Sequence, residues 1–316
     1  MYSEEDAVTH QTSGAGWPEL PLSGDWADAY TTLHMWTQIV GKIRLELSPW
    51  TNHSWGSALY LSATGFTTSP IPCAAGVFEI TFDFVNHELR ITQSDGRRRD
   101  MLLEPMTVAD FYNRLMALLK ELGIEVAIFT RPVEVVEALR FELDRQHATY
   151  EPEIVNRVWR AFLQADRVFK TFRARFIGKC SPSHFFWGAF DLAVTRFSGR
   201  SAPLHPGGAP NCADWVMQEA YSHELASAGF WPGAGLGEAA FYAYAWPEPP
   251  GYSTREVMPG AAYYFATLKE FILPYSTVRA ASNPDEMLLT FLQSTYENAA
   301  ELAKWDRTSL ERAALP

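Results

Sequence analysis

Hydrophobic positions in the first half of the chain recur at helical spacing and then at strand spacing. Apolar residues every three or four positions predict a helix that begins near Asp25 and ends before Pro49. After it, large apolar residues alternate with polar ones, which is typical of half-buried strands. The elements predicted after this helix are a strand over 57–68, a β-hairpin over 77–92, a helix over 108–122 and a strand over 124–129.

The second half follows the same order of patterns. A long amphipathic helix is predicted over 152–177, and strands follow it. The later elements predicted are strands over 184–197, 216–230 and 239–247, a long loop over 198–214, and helices over 259–273 and 284–304. Strands grouped between helices indicate an α+β fold with mainly antiparallel sheets packed by long helices.

Two segments of the chain resemble each other. Residues 42–61 and 173–192 align with one shift, so that His53-x-Trp55 lies over His184-x-x-Trp187 and each Trp is followed by Gly. Each copy has a helical pattern before it and strands after it. The sequence therefore predicts a tandem duplication of a helix–three-strand–helix unit.

A duplication defines the expected domain organisation. Residues 1–16 are polar and rich in Gly and Ser, and they are expected to be a disordered tail. The first α+β lobe is expected over 17–135, a connector over 136–151 and the second lobe over 152–316. The lobes are expected to pack as one globule, and a seam between two lobes is a common place for a pocket.

Composition and charge exclude several classes of function. The 316 residues carry a net charge of −11, which argues against nonspecific nucleic-acid binding and against adhesion to anionic membranes. Cys73, Cys180 and Cys212 are odd in number and form no CxxC motif, so no disulfide framework is indicated. The N-terminus has no signal-like apolar stretch and no run is long enough to span a membrane. We expect a soluble, cytoplasmic protein, for which a homo-oligomer is one option.

The candidate catalytic residues come from two neighbouring strands. If 184–197 and 216–230 pair antiparallel, their odd-numbered residues share one face. These residues are Asp191, Thr195, Glu219, Tyr221 and His223. Such a face either meets solvent or lines a ligand site. In the second case His223 is the general acid or base, Glu219 or Asp191 orients it, and Tyr221 donates a hydrogen bond.

Other residues are candidates for binding a substrate. Arg196 offers a guanidinium that suits a carboxylate or phosphate, so an anionic small-molecule ligand is expected. The remaining candidates are His184, Trp187, Trp246, Lys42 and Gln38. Gln38 and Lys42 lie with His34 on one stripe of the first helix, which either points into the seam or forms an exposed polar surface.

Metal and cofactor motifs give little support to a metalloenzyme. His53 and His184 suggest a metal site across the duplicated halves, but no carboxylates can be placed around it. His223-Glu224 lacks the second His of a zincin helix. We therefore assign no metal ligands and no cofactor, although a metal is not excluded.

Long motifs resemble a bacterial family that is designated domain of unknown function 5996. The resemblance runs from about Trp17 to Trp305 and rests on LHMWTQIVGKIRL, GFTTSPIP, FEITFDFVNHELRI, SPSHFFWGAFDLAVTRFSGRSAPLHPG and EAYSHELASAGFWPG. It implies no activity. This chain has Ser54 and Gly56 where the family pattern has Trp and His, which implies more space and weakens a metal site that uses His53.

Two classes of function remain open from the sequence. The first is a small-molecule enzyme or binder with its pocket at the seam of the lobes. The second is a noncatalytic ligand-sensing or protein-interaction scaffold. A metal-dependent hydrolase is a weaker third alternative.

Overall fold

The computed structural model describes residues 16–312. Its helices are α1 (Ala27–Leu47), α2 (Val108–Glu121), α3 (Pro152–Ala174), α4 (Asp214–Ala220), α5 (Tyr275–Ala280), α6 (Pro284–Leu302) and α7 (Arg307–Leu310). Its strands are β1 (Tyr60–Leu61), β2 (Gly65–Thr67), β3 (Ile71–Cys73), β4 (Gly76–Asp83), β5 (Glu88–Gln93), β6 (Arg98–Leu102), β7 (His184–Phe186), β8 (Asp191–Ser201), β9 (His223–Trp231), β10 (Ala240–Trp246), β11 (Tyr263–Phe265) and β12 (Glu270–Pro274). Single 3-10 turns lie at Ser23–Trp26, Asn52–Ser57, Phe141–Leu143 and Tyr252–Thr254.

The strands form two antiparallel sheets of six strands each. The first has the order β1-β2-β4-β5-β6, with β3 also paired to β4, and the second has the order β11-β12-β10-β9-β8-β7. Every strand pair in both sheets is antiparallel, which confirms the predicted α+β class. No helix within residues 16–312 has the length and apolar character needed to cross a membrane.

One hydrophobic core connects the two sheets. Leu59 and Phe185 form a backbone bridge between them, and the ring of Phe185 stacks on Phe66 with 4.2 Å between centroids. On the second sheet, Phe162 of α3 packs on Phe230 of β9 at 5.0 Å. Helices α3 and α6 therefore cover one face of the second sheet and leave its other face for the loops and α1.

Two segments that were each predicted as one strand form a pair of antiparallel strands in the structure. Residues 57–68 contain β1 and β2, which pair with each other. Residues 184–197 contain β7 and the first part of β8, joined by a tight turn over 187–190 with Phe190 in the left-handed region at φ 59°. The second turn is occupied by Trp, Gly, Ala and Phe, so the hydrophobic pattern carried no sign of that reversal.

Three further predictions of element type are wrong. Residues 214–220 form helix α4, so the predicted strand 216–230 is correct only for β9. Residues 259–273 contain β11 and β12 instead of a helix, because pairing with β10 overrides the helical preference of their Ala, Leu, Lys and Glu residues. Residues 124–129 form no strand.

The structure does not confirm the predicted duplication. Both halves begin with a long helix, as expected, but each contains a sheet of six strands instead of the predicted three. The first half has six strands between α1 and α2, whereas the second has α4 between β8 and β9 and three helices after β12.

Candidate functional site

The face of the second sheet opposite α3 and α6 is lined by polar and aromatic side chains. Thr195 of β8 lies opposite Ser227 of β9, which lies opposite Tyr244 of β10. The hydroxyl groups of Thr195 and Ser227 are 2.9 Å apart. Asp191 and Tyr242 occupy other rows of the same face. The predicted sharing of one face by Asp191 and Thr195 is therefore present, with different partners.

Asp191 is held by a tyrosine that reaches across a neighbouring strand. The Tyr242 hydroxyl donates a hydrogen bond to Oδ2 of Asp191. The Tyr242 ring passes over Gly229, where a Cβ atom would lie 2.3 Å from the hydroxyl oxygen. Burial raises the pKa of Asp191 to about 7, the bond from Tyr242 opposes this rise, and the Glu134 carboxyl adds to it.

Residues from the 202–221 segment close one end of this face. The hydroxyl of Tyr221, at the end of α4, lies 2.9 Å from that of Tyr244. His205 stacks on the Tyr221 ring at 4.5 Å and lies 4.7 Å from the Trp246 ring. Tyr221 and Trp246 therefore lie at the same site as Asp191, although Tyr221 does not come from a strand.

Helix α1 positions a carboxylate above the opposite end. The side-chain amide of Gln38 donates to the Val133 carbonyl and accepts from the Val133 N–H, each at 2.9 Å. The next residue, Glu134, is in the left-handed region at φ 59°. Its carboxyl lies against Gly188, where a Cβ atom would be 2.3 Å from Oε1. Gln38 is thus a positioning residue for Glu134.

His34 of the same helix holds the turn that contains Gly188. Its Nε2–H donates to the carbonyl oxygens of Trp187 and Gly188, at 3.0 and 2.9 Å. Burial lowers the pKa of His34 to about 4, so the ring is neutral and carries its proton on Nε2. The polar stripe of α1 therefore points inward, where it fixes two backbone segments.

Three carboxyl groups converge on this region: Glu134, Asp191 and Glu270. Burial raises the pKa of Glu134, and it raises the pKa of Glu270 to about 8, with a contribution from Asp191. Glu134 is solvent-exposed and Glu270 half-buried. Solvent therefore reaches these carboxyl groups at a surface where protein surrounds them on several sides. We call this surface the acidic recess and define it by Glu134, Asp191, Glu270, Tyr221, Tyr242 and Tyr244.

Positive charge is scarce around these carboxyls. Within residues 16–312, no Lys, Arg or His forms an ion pair with Glu134, Asp191 or Glu270. Lys42 lies near one end, enclosed by the rings of Trp187 and Phe129 at 5.8 and 5.3 Å. The recess therefore combines negative charge with aromatic surface.

His223 and Glu219 lie in a separate cluster around His53. The His53 and His223 ring centroids are 5.7 Å apart, and Nε2 of His53 lies 2.6 Å from the Lys179 amine. The Glu219 carboxylate accepts a hydrogen bond from the indole N–H of Trp50 at 2.9 Å. His223 contacts Ser222 Oγ at 3.0 Å, so it is hydrogen-bonded to neither of the carboxylates predicted to orient it.

Two of the predicted binding residues are enclosed by hydrophobic rings. Arg196 has no exposed surface, and its guanidinium stacks on Phe172 at 3.4 Å and on Tyr296 at 4.3 Å. It therefore faces α3 and α6, away from Asp191. His184 is 1% exposed and lies between the rings of Trp55 and Tyr60.

Glu134, Glu270, Ser227, Tyr242 and Tyr244 were not identified from the sequence. The alternation of Tyr242, Tyr244 and Trp246 along one strand could have identified the two tyrosines. No local signal marks the carboxylates, because Glu134 lies in an irregular segment and Glu270 in a segment that reads as helical.

Other concave surfaces of the molecule lie away from these carboxyl groups. Two surface clefts of about 340 and 350 Å³ lie elsewhere, one lined by residues from Ser253 to Phe271 and the other by residues including Glu19 and Arg279. Within the described part of the chain, no group of three or more His, Cys, Asp or Glu residues is arranged to hold a metal ion.

Comparison with known proteins identifies a family without identifying an activity. A family model described as a family of unknown function (DUF5996) matches residues 17–312. No curated protein and no solved structure shows a significant match. Any statement of function therefore depends on the site itself.

Proposed function

The chain belongs to DUF5996, a family of unknown function, and we propose from the site that the protein binds a small organic cation, such as a protonated amine, in the acidic recess. One observation carries this proposal: Glu134, Asp191 and Glu270 converge among tyrosine rings without an ion-pair partner in the described residues. Carboxylates that share a low-dielectric site repel one another, and a bound cation removes that repulsion.

The aromatic walls favour an organic cation over a metal ion. The rings of Tyr221, Tyr242 and Tyr244 lie beside the carboxyls, and the negative face of an aromatic ring attracts an ammonium group. Their hydroxyl groups provide hydrogen-bond partners for the ligand. Small-molecule sites commonly combine such apolar walls with a few convergent polar groups.

The expected charge of the ligand differs from the one suggested by the sequence. Arg196 suggested an anionic ligand, but its guanidinium lies against α3 and α6. An anion in the recess would face three carboxyl groups. The cationic class is therefore the one we favour, and the anionic class is tested beside it.

Isothermal titration calorimetry tests the ligand class. n-Butylammonium, putrescine and choline are compared with neutral 1-butanol and with butyrate. We expect the cations to bind and Asp191→Asn to weaken them by roughly tenfold, about 1.4 kcal/mol. Asp100→Asn, in β6 of the other sheet, is the matched control. Equal binding of 1-butanol, or no effect of Asp191→Asn on cation binding, would contradict the proposal.

The pH dependence gives an independent test. Asp191 faces Tyr242, Glu134, Glu270 and Tyr30, and its pKa of about 7 means that it ionises near neutral pH. Glu270 ionises near pH 8. Cation affinity should therefore rise from pH 6 to pH 9, and binding at pH 7 should release protons, measured as a dependence of the calorimetric heat on the buffer.

Acid–base catalysis by His223 is a second candidate function. The observation that favours it is the His53 ring beside His223, with Lys179 at hydrogen-bond distance from His53. The affinity and the turnover of His223→Ala and Asp191→Asn, measured with the ligand that calorimetry identifies, distinguish the two sites. Loss of turnover with unchanged affinity assigns His223 to catalysis. If the protein binds none of these small ligands but binds another protein, it is instead an interaction scaffold.

A further inference from the structure

Helix α1 carries a lysine that is almost completely buried. Lys42 is 5% exposed, and within residues 16–312 its amine has neither an ion-pair partner nor a hydrogen bond. Its contacts are the faces of Phe129 and Trp187, with Nζ at 5.3 and 5.8 Å from the ring centroids. Two aromatic rings stabilise an ammonium group far less than a carboxylate would.

The surroundings of Lys42 favour the uncharged amine. Burial lowers the pKa of Lys42 to about 8, and the thiol of Cys212 partly opposes the shift. No carboxyl group within residues 16–312 contributes to this shift in the pKa of Lys42. A desolvated lysine in an apolar setting is the form that enzymes use as a nucleophile, because the uncharged amine has a free electron pair.

Lys42 also lies at the edge of the acidic recess. Trp187, which covers its amine, precedes Gly188, against which the Glu134 carboxyl lies. Cys212 is close enough to influence both Lys42 and Glu134 electrostatically. Lys42 and Glu134 therefore share two neighbours, the turn at Trp187–Gly188 and Cys212, at this end of the recess.

We propose that Lys42 is a nucleophile that forms an imine with an aldehyde or ketone ligand entering the acidic recess. The inference rests on the recess as the ligand site of the proposed function. The uncharged amine adds to the carbonyl carbon to give a carbinolamine, with proton transfer from nitrogen to oxygen. Loss of the hydroxyl group with a proton as water then forms the C=N bond, so no oxidant or reductant is needed.

Reductive trapping with a neutral aldehyde tests this chemistry. The full-length protein is incubated with propanal and sodium cyanoborohydride, which reduces any imine to a stable N-propyl amine, and the labelled lysines are identified by peptide mass spectrometry. At pH 7.5 we expect Lys42 to react at least roughly tenfold faster than the exposed Lys120 and Lys304, because burial lowers the pKa of Lys42 to about 8 and a sizeable fraction of its amine is then uncharged. Lys42→Arg should remove this label, and Lys120→Arg should not.

The outcomes separate this inference from the proposed function. Propanal carries no charge, so rapid labelling of Lys42 supports the imine even if calorimetry shows no amine binding. Slower labelling of Lys42 in the presence of choline, whose quaternary nitrogen cannot react with propanal, supports a shared recess. Labelling of Lys42 no faster than of Lys120 and Lys304 would overturn the inference, provided that circular dichroism shows the protein folded. Labelling unaffected by saturating choline would overturn the placement of the imine in the recess.

Discussion

At the scale of single residues, the acidic recess contains a carboxyl group, that of Asp191, whose surroundings disfavour its charged form. Asp191 is 7% exposed, and its one side-chain partner among the described residues is the Tyr242 hydroxyl. Its pKa rises from 3.8 to about 7. The folded protein therefore keeps a proton on Asp191 at pH values where the unfolded chain has lost it, so ionisation of Asp191 lowers the free energy of unfolding as pH rises from about 4 to 7.

Asp191→Asn should therefore stabilise the protein above neutral pH. The amide cannot ionise, and its oxygen can still accept from Tyr242. We expect the variant to be more stable than the wild type at pH 8 by on the order of 1–2 kcal/mol, with the difference vanishing towards pH 4. Urea unfolding at pH 4.5, 6 and 8 measures it. A difference that does not change with pH would show that Asp191 does not titrate near neutrality.

At the scale of elements, strand β9 has a glycine, Gly229, at the position where the Tyr242 side chain crosses it. A Cβ atom at Gly229 would lie 2.3 Å from the Tyr242 ring and 2.5 Å from the Leu192 carbonyl oxygen. Because the second contact is with backbone, rotation of Tyr242 alone cannot relieve the clash. The link between β8 and β10 across β9 therefore depends on glycine at this position.

Gly229→Ala is expected to lower the free energy of unfolding by about 1–3 kcal/mol, as overpacking does. It should also break the contact between Tyr242 and Asp191 and so weaken cation binding. Urea unfolding and calorimetry measure the two effects. Gly24→Ala is the control, since no atom lies within 4 Å of its added Cβ. Equal stability of the two variants would show that the strands adjust freely.

Prediction of elements succeeded where helices carry clear end signals. The helix predicted over 108–122 begins after Thr107, whose side chain accepts a hydrogen bond from the Asp110 N–H at 3.0 Å. The helix predicted over 284–304 begins after Asn283, whose side chain caps α6 in the same way. It failed at α4 and at the β11–β12 hairpin. In those short segments propensity is weak, and packing of α4 against residues 50–57 and pairing of β12 with β10 decide the conformation.

At the scale of the whole molecule, the two sheets share one core instead of forming two independent lobes. Phe185 is fully buried at their junction, where its backbone pairs with Leu59 and its ring contacts Phe66 and Phe162. Loss of packing at this junction affects both sheets. The two sheets should therefore unfold together.

Phe185→Ala tests this cooperativity. We expect a loss of about 3–5 kcal/mol, typical of a large-to-small change in a core. Hydrogen exchange measured by mass spectrometry should show protection lost together in 78–93 and 225–246. Leu102→Ala, at a site that is 60% exposed, should have little effect. Loss of protection in one sheet alone would indicate independent lobes.

The sequence by itself determined the α+β class, the long helices and two of the six residues that define the acidic recess, Asp191 and Tyr221. Periodicity and cap residues act locally, so α1, α2, α3 and α6 could be read from the chain. The placement of Asp191 and Thr195 on one face follows from strand alternation, and the sharing of one stripe by Gln38 and Lys42 follows from helix geometry. The inward direction of that stripe is known only from the structure.

Only the tertiary structure decided which of these residues meet. Strand pairing brought Glu270 and Tyr242 towards Asp191, and the contacts of Gln38 with Val133 placed Glu134 above them. The same packing turned Arg196 towards α3 and separated His223 from both predicted carboxylate partners. These contacts join residues that are distant along the chain, and a local pattern carries no information on such pairings because many registers satisfy it equally well.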